Sequence, residues 1–211
     1  MRLRKKPNLI PRLERCAGLR ELEPERLRGG WLREFGKYED VYAELGCGKG
    51  SFTVRTAEGL PGILFVAIER VADAQIAALE LAGAMELDNI RFITGDARRI
   101  ADFFGEGELG RVYINFCDPW PSPRHAKRRL TSRGFLELYR RTLRPGGEIH
   151  FKTDDVPLFE FSLRQLGECG FEVSEVTRDL HEDGVAGVMT DYERKFHAQG
   201  VKICRCKAGV R

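Results

Sequence analysis

A chain of 211 residues with 42% hydrophobic side chains has the apolar material for one well-buried domain and little room for two. No apolar run approaches the roughly 18 residues that a membrane-spanning helix needs, and the opening MRLRKK lacks the apolar stretch of a secretory leader, so the expectation is a soluble, cytoplasmic protein. A net charge of +3 does not by itself point to nucleic acid, yet Lys and Arg crowd into 2–6 and 124–129, and such a local basic patch suits a polyanion met at one face.

Residues 1–30 read as a basic, Pro-containing arm ahead of a single domain over 31–211. A short apolar strand over 41–45 stops at Gly46, and Ser51 opens a short helix that its hydroxyl is placed to cap. The next strand, 63–68, is apolar throughout, as a strand covered on both faces should be. An Ala- and Leu-rich helix over 71–85 follows, then a strand over 90–94, a helical segment over 97–104 and a strand over 112–116. Residues 117–129 hold three prolines and four Lys or Arg and cannot form one regular element.

A helix over 132–143 ends at Arg144-Pro145-Gly146-Gly147, a turn signal, and a strand over 148–152 follows. An amphipathic helix over 158–168, a strand over 171–176, an irregular loop reaching 190–197 and an alternating strand over 201–207 complete the chain. Single helices between strands imply a parallel sheet with right-handed crossovers. The last two strands have no long helix between them and can pair antiparallel. The fold class is therefore α/β, a doubly wound, mostly parallel seven-stranded sheet whose ligands belong at the carboxyl ends of the strands.

The first strand runs into Glu44-Leu45-Gly46-Cys47-Gly48-Lys49-Gly50. Gly46, Gly48 and Gly50 allow a sharp turn and a close approach to a ligand. Glu69 ends the second strand about 20 residues on, where a carboxylate accepts from ribose hydroxyls. NAD enzymes share that acid, but Glu44 would repel a pyrophosphate and suits the ammonium group of a methionine moiety. The glycines also follow GxGxG and not the GxGxxG that seats a pyrophosphate on a helix N-terminus. S-adenosyl-L-methionine is favoured, with Asp96 after the third strand placed to meet the adenine amino group.

The fourth strand ends in Asn115-Phe116-Cys117-Asp118-Pro119-Trp120-Pro121, which sets a carboxylate and a flat aromatic beside the methyl donor. Enzymes that act on base nitrogens use such a pair, the aromatic holding an extruded base. The sequence resembles the single-chain bacterial tRNA (guanine-N7)-methyltransferases over nearly its whole length. The resemblance rests on the ELGCGKG loop, INFCDPWP, Arg124-His125-Ala126-Lys127-Arg128-Arg129-Leu130-Thr131, Lys152-Thr153-Asp154 and Thr190-Asp191-Tyr192-Glu193-Arg194-Lys195-Phe196. Many relatives carry a lysine where this chain has Ser122, and a proline is common where Cys117 stands.

The resemblance implies the Rossmann-like fold of S-adenosylmethionine-dependent methyltransferases. It implies a cofactor site of Glu44, Gly46, Gly48, Gly50, Glu69, Asp96 and Asp118, with Asp118 also the catalytic acid. Asp154, Thr190, Tyr192 and Glu193 would contact the guanosine, and Arg124, His125, Lys127, Arg128 and Arg129 would meet tRNA at its variable-loop guanine. The chemistry calls for no metal, since guanine N7 carries a lone pair and no proton, and no obligate protein partner is implied. The six cysteines form no CxxC pair and read as buried, reduced thiols. Rival readings stay open: an S-adenosylmethionine-dependent methyltransferase acting on another RNA base, an NAD-dependent oxidoreductase, which would want GxGxxG and no acid at Glu44, and a non-catalytic RNA-binding Rossmann-like protein, which would leave the acids idle.

Overall fold

A computed structural model of the chain describes residues 5–210. Seven strands, β1 (Asp40–Leu45), β2 (Ile63–Glu69), β3 (Ile90–Thr94), β4 (Leu109–Asn115), β5 (Leu143–Thr153), β6 (Glu172–Thr177) and β7 (Cys204–Gly209), form one sheet in the order β3-β2-β1-β4-β5-β7-β6. The neighbours from β3 through β5 are parallel, and β7 lies antiparallel between β5 and β6. This is the expected α/β fold. The chain order reverses between β1 and β4, whose ends lie side by side with Leu45 opposite Ile114. Loops leaving those two ends diverge and open a crevice, the topological switch point where ligands of such sheets bind.

Helices α1 (Leu9–Arg15), α2 (Trp31–Glu34), α3 (Ser51–Gly59), α4 (Ala72–Ala84), α5 (Ile100–Phe103), α6 (Arg133–Thr142), α7 (Val156–Glu168) and α8 (Asp191–His197) surround the sheet. Strand β2 shows why its apolar run is unbroken. Leu64, Val66 and Ile68 enter one core with Trp31, Phe135 and Tyr139, while Phe65 and Ala67 enter a second with Phe52, Ile76 and Leu79. Covered on both faces, the strand has no solvent side to mark with polar residues. The segment before Trp31 also packs down: Leu9, Leu13, Cys16 and Leu19 lie against the second core, and Arg12 forks onto Glu80 of α4 at 2.6 Å through both Nε and Nη2. Residues 2–4 of the amino-terminal basic stretch lie outside the described residues.

Three local expectations are corrected. Ser51 does not cap α3; Gly50 is the cap residue, at φ 73°, with no side-chain bond. A Cβ at Gly50 would stand 2.2 Å from the Ala78 Cβ, so this glycine permits α3 to lie close against α4. The Arg144–Gly147 turn signal lies inside β5, whose register with β4 slips between Leu109 and Arg111. Gly146 at φ 74° absorbs that irregularity and donates to the Val210 carbonyl. As expected, 117–129 is not one regular element, although Pro123–Arg128 forms a 3-10 helix whose proline sits in the first turn, where its missing N–H costs nothing. Lastly, Thr190 begins no loop. It caps α8. Among the described residues no helix is long and apolar enough to cross a membrane.

Candidate active site

At the switch point lies a cavity of about 840 Å³. It is lined by the carboxyl ends of four parallel strands: Leu45 at the end of β1 and Gly46 just after it, Glu69 at the end of β2, Asp96 after β3 and Asp118 after β4. Trp120, Arg124, His125, Lys127 and Arg128 line it as well. The β-strand ends thus bring together Gly46, Glu69, Asp96 and Asp118, which are separated widely in sequence.

Gly46 and Gly48 take φ values of 77° and 55°, the left-handed region that favours glycine. A Cβ at either would meet nothing within 4 Å, so backbone and ligand can approach there without a side chain intervening. The Glu69 carboxylate spans the turn, accepting from Gly48 N at 3.1 Å and from Val71 N at 2.9 Å. Asp96 is held by Arg98, whose Nη2 donates at 2.6 Å and whose backbone N donates at 2.9 Å. The Arg98 bond lowers the Asp96 pKa and keeps an acceptor in the wall.

Glu44 is not in the cavity wall. It lies beneath the glycine loop, 3% exposed, accepting from the Thr53 hydroxyl and from Asn115 Nδ2 at 2.9 Å. Burial raises its pKa, and the two donors oppose that shift. Asn115 Oδ1 is buried with no partner, although buried acceptors are normally satisfied. An unmet acceptor beside a buried carboxylate fits a cationic donor such as an amino-acid ammonium. The residues present therefore fit S-adenosylmethionine: open glycine backbone, an acid per neighbouring strand and a place for positive charge.

Asp118 is exposed at the cavity wall. Around it the loop is contorted, with Phe116 at φ 51° and Trp120 at φ 43°, values that bulky residues seldom adopt and that cluster at functional sites. The Trp120 ring stands edge-on to His125 at 5.7 Å, with the Arg128 guanidinium 4.8 Å from its centroid.

The family described as "Putative methyltransferase" matches residues 38–206. The curated tRNA (guanine-N(7)-)-methyltransferase of Geobacillus thermodenitrificans is 42% identical over 209 residues, covering 99% of this chain and 97% of that protein. The enzyme of the same name from Halalkalibacterium halodurans is 42% identical over 212 residues, covering 100% and 96%. This chain belongs to the tRNA (guanine-N7)-methyltransferase family. Among solved structures, the 16S rRNA methyltransferase KamB superposes with a TM-score of 0.66 at 20% identity, over 87% of this chain and 94% of that one. The 16S rRNA (adenine(1408)-N(1))-methyltransferase from Catenulisporales acidiphilia with its cosubstrate SAM reaches 0.62 at 17% identity, over 90% and 92%. At these identities the solved structures show the shared fold.

The residues that the resemblance assigns to the guanosine are not gathered in the methyltransferase cavity. Thr190 and Glu193 form a reciprocal capping box at the start of α8. Glu193 is fully buried, accepting from Lys152 Nζ at 3.1 Å and His181 Nε2 at 3.0 Å. His181 Nδ1 accepts from Ala186 N at 3.2 Å, which leaves the proton on Nε2 to face Glu193. Tyr192 is 54% exposed and Asp154 half-buried beyond β5. Helix α8 approaches the β4 loop through Phe196, 6.4 Å from Phe116. Of the basic run, Arg124, Lys127 and Arg128 are exposed, His125 borders Trp120, and Arg129 turns inward.

Asn115, Lys152 and His181 carry no role in the sequence reading. Asn115 and Lys152 stand within the INFCDPWP and Lys-Thr-Asp motifs. His181 has no local signal, because its partner lies twelve residues away.

Proposed function

We propose that this chain transfers the methyl group of S-adenosyl-L-methionine to N7 of a guanine in tRNA. The observation that carries the reading is a cavity lined at once by Asp118, a carboxylate with no partner among the described residues, by the aromatic Trp120 and by the open glycine turn at Gly46. When bound, S-adenosylmethionine supplies an electrophilic methyl on a sulfonium. The Gly46–Gly50 turn would admit its backbone-facing side, Glu69 would accept from the ribose and Asp96 would meet the adenine amino group, while Glu44, buried beneath the loop against Thr53 and Asn115, would favour the ammonium through its charge and not by contact. Guanine N7 has an in-plane lone pair and no proton, so no base is needed at the attacking atom. Positioning and electrostatics then carry the catalysis.

Trp120 offers the base a stacking face, while Asp118 and Asp154 accept from its N1–H and exocyclic amine. Accepting there orients the ring and adds electron density at N7. Thr190 and Glu193 act less directly, by fixing α8 so that Tyr192 borders the substrate. Arg124, Lys127 and Arg128 neutralise phosphates, and His125 keeps Trp120 upright. The resemblance favours the variable-loop guanine, and the substrate places the work in the cytoplasm.

Labelled methyl transfer from S-adenosylmethionine into bulk tRNA, followed by digestion to nucleosides, tests the reading. The label should appear in 7-methylguanosine. Transfer into another nucleoside, or no transfer with tRNA still bound, would favour a different base or a non-catalytic RNA-binding role.

A further inference from the structure

Arg129 ends the basic run, and its charge alone groups it with Arg124, Lys127 and Arg128 as a phosphate contact. Its surroundings set it apart, because those three side chains are exposed and Arg129 is half-buried. Its Nε donates to the Pro119 carbonyl and its Nη2 to the Trp120 carbonyl, both at 3.0 Å. The guanidinium also lies 4.3 Å from the centroid of the Phe161 ring on α7. Two of its donors and one of its faces are therefore committed to the protein.

The two carbonyls belong to the turn that holds Trp120 at φ 43°. A bulky residue stays in that conformation only where its surroundings enforce it. A planar fork reaching two successive carbonyls can do so, and a lysine ammonium, a point charge on a flexible stem, cannot reproduce that geometry. The turn sets the directions of Asp118 before it and the indole within it, and both line the cavity.

We infer that Arg129 is a positioning residue for methyl transfer: it clamps the Pro119 and Trp120 carbonyls so that Asp118 and the indole face the base. The inference rests on the methyl-transfer reading above, and its test includes readouts that need no turnover. Charge neutralisation belongs to the exposed members of the run, which divides the run into one inward residue and three outward ones.

Arg129→Lys separates the alternatives, because it keeps the charge and removes the fork. The chain has two tryptophans, and Trp31 is fully buried, so acrylamide quenching of fluorescence reports on Trp120. In Arg129→Lys the quenching constant should rise, kcat for methyl transfer should fall roughly tenfold or more, and the salt dependence of tRNA binding should match the parent. Lys127→Ala, by comparison, should lower the salt slope by about 0.9 and leave quenching unchanged.

Arg129→Ala should behave like Arg129→Lys. Should it fail to fold, Phe161→Leu, which removes the stacking face and leaves both hydrogen-bonding partners, should raise quenching and lower kcat in weaker form. Parent-like turnover and quenching in Arg129→Lys, with a reduced salt slope in Arg129→Ala, would make Arg129 a phosphate contact and overturn the inference. A fall in kcat without any change in quenching would overturn it too. A parent protein that transfers no methyl to tRNA refutes the functional reading separately, since the quenching arms still decide whether Arg129 shapes the turn.

Discussion

Asp118 differs from every other acid assigned to the cavity in having its carboxylate uncommitted. Glu69 braces the glycine turn, Asp96 is paired with Arg98, and Glu44 is sealed beneath the loop by Thr53 and Asn115. An uncommitted, exposed side chain costs little to remove, and Asp118→Ala should leave the melting temperature within a degree or two of the parent. Loss of an orienting carboxylate at the reacting base should lower methyl transfer on the order of a hundredfold or more. Near-normal turnover in that variant would remove Asp118 from the reaction. The positions of Glu69, Asp96 and Asp118 were legible in the sequence because each follows a strand whose carboxyl end the fold class places at the crevice. The burial of Glu44 was not legible, because it depends on Thr53 from α3 and Asn115 from β4 arriving at the same point.

Helix α8 is anchored through buried charge. Glu193 accepts from its own cap residue's N–H, from Lys152 on β5 and from His181 in the preceding loop. Burial pushes the Lys152 ammonium below its ordinary pKa, and Glu193 opposes that shift. Removing one partner of such a pair leaves the other charge uncompensated, so Glu193→Ala should cost about 3–5 kcal/mol of folding stability. Urea denaturation measures it, and a loss below about 1 kcal/mol would show that the pair does not anchor the helix. Thr190→Ala, which removes only the cap, should cost about 1 kcal/mol. Thr190-x-x-Glu193 is the sequence signature of a capping box, so the start of α8 was readable although the stretch reads at first as loop. The β5 extension through Arg144–Gly147 was not: a Pro-Gly-Gly run marks a turn in isolation, and only the partners Leu109 and Val210 draw it into the sheet.

At the scale of the whole molecule, the exposed basic residues of 124–128 gather at one place. Arg124, Lys127 and Arg128 border the cavity mouth, whereas most other ion pairs are scattered surface contacts such as Arg133–Glu137 and Arg178–Glu160. Replacing all three with alanine should weaken tRNA binding by roughly tenfold or more at moderate salt. It should also flatten the salt dependence by up to about 0.9 per lost phosphate contact. Unchanged binding and slope would place tRNA elsewhere. Acid response belongs to the sheet. Burial lowers His150 from 6.5 to about 4, against the hydrogen bond it donates to the Glu148 carboxylate and with Arg111 and Lys207 adding to the fall. The unfolded chain therefore binds a proton that the native chain does not, and the stability His150 contributes is present above pH 6.5 and lost as pH falls toward 4. His150→Gln should flatten the fall in urea midpoint between about pH 7 and pH 5, and an equal fall in parent and variant would assign acid sensitivity elsewhere. The alternation of strands and helices carried the mostly parallel sheet and the ligand-binding end of its strands from sequence alone; the strand order, and with it the switch point and the β5-β7-β6 edge, needed the structure, because no local pattern says where a strand inserts. The methylated atom is tested most directly with tRNA transcripts in which 7-deazaguanine replaces guanine, keeping the amide edge and the stacking face but putting carbon where N7 was. Such a transcript should bind within a few-fold of the parent and accept no labelled methyl from S-adenosylmethionine; methylation at the parent rate would contradict transfer to N7.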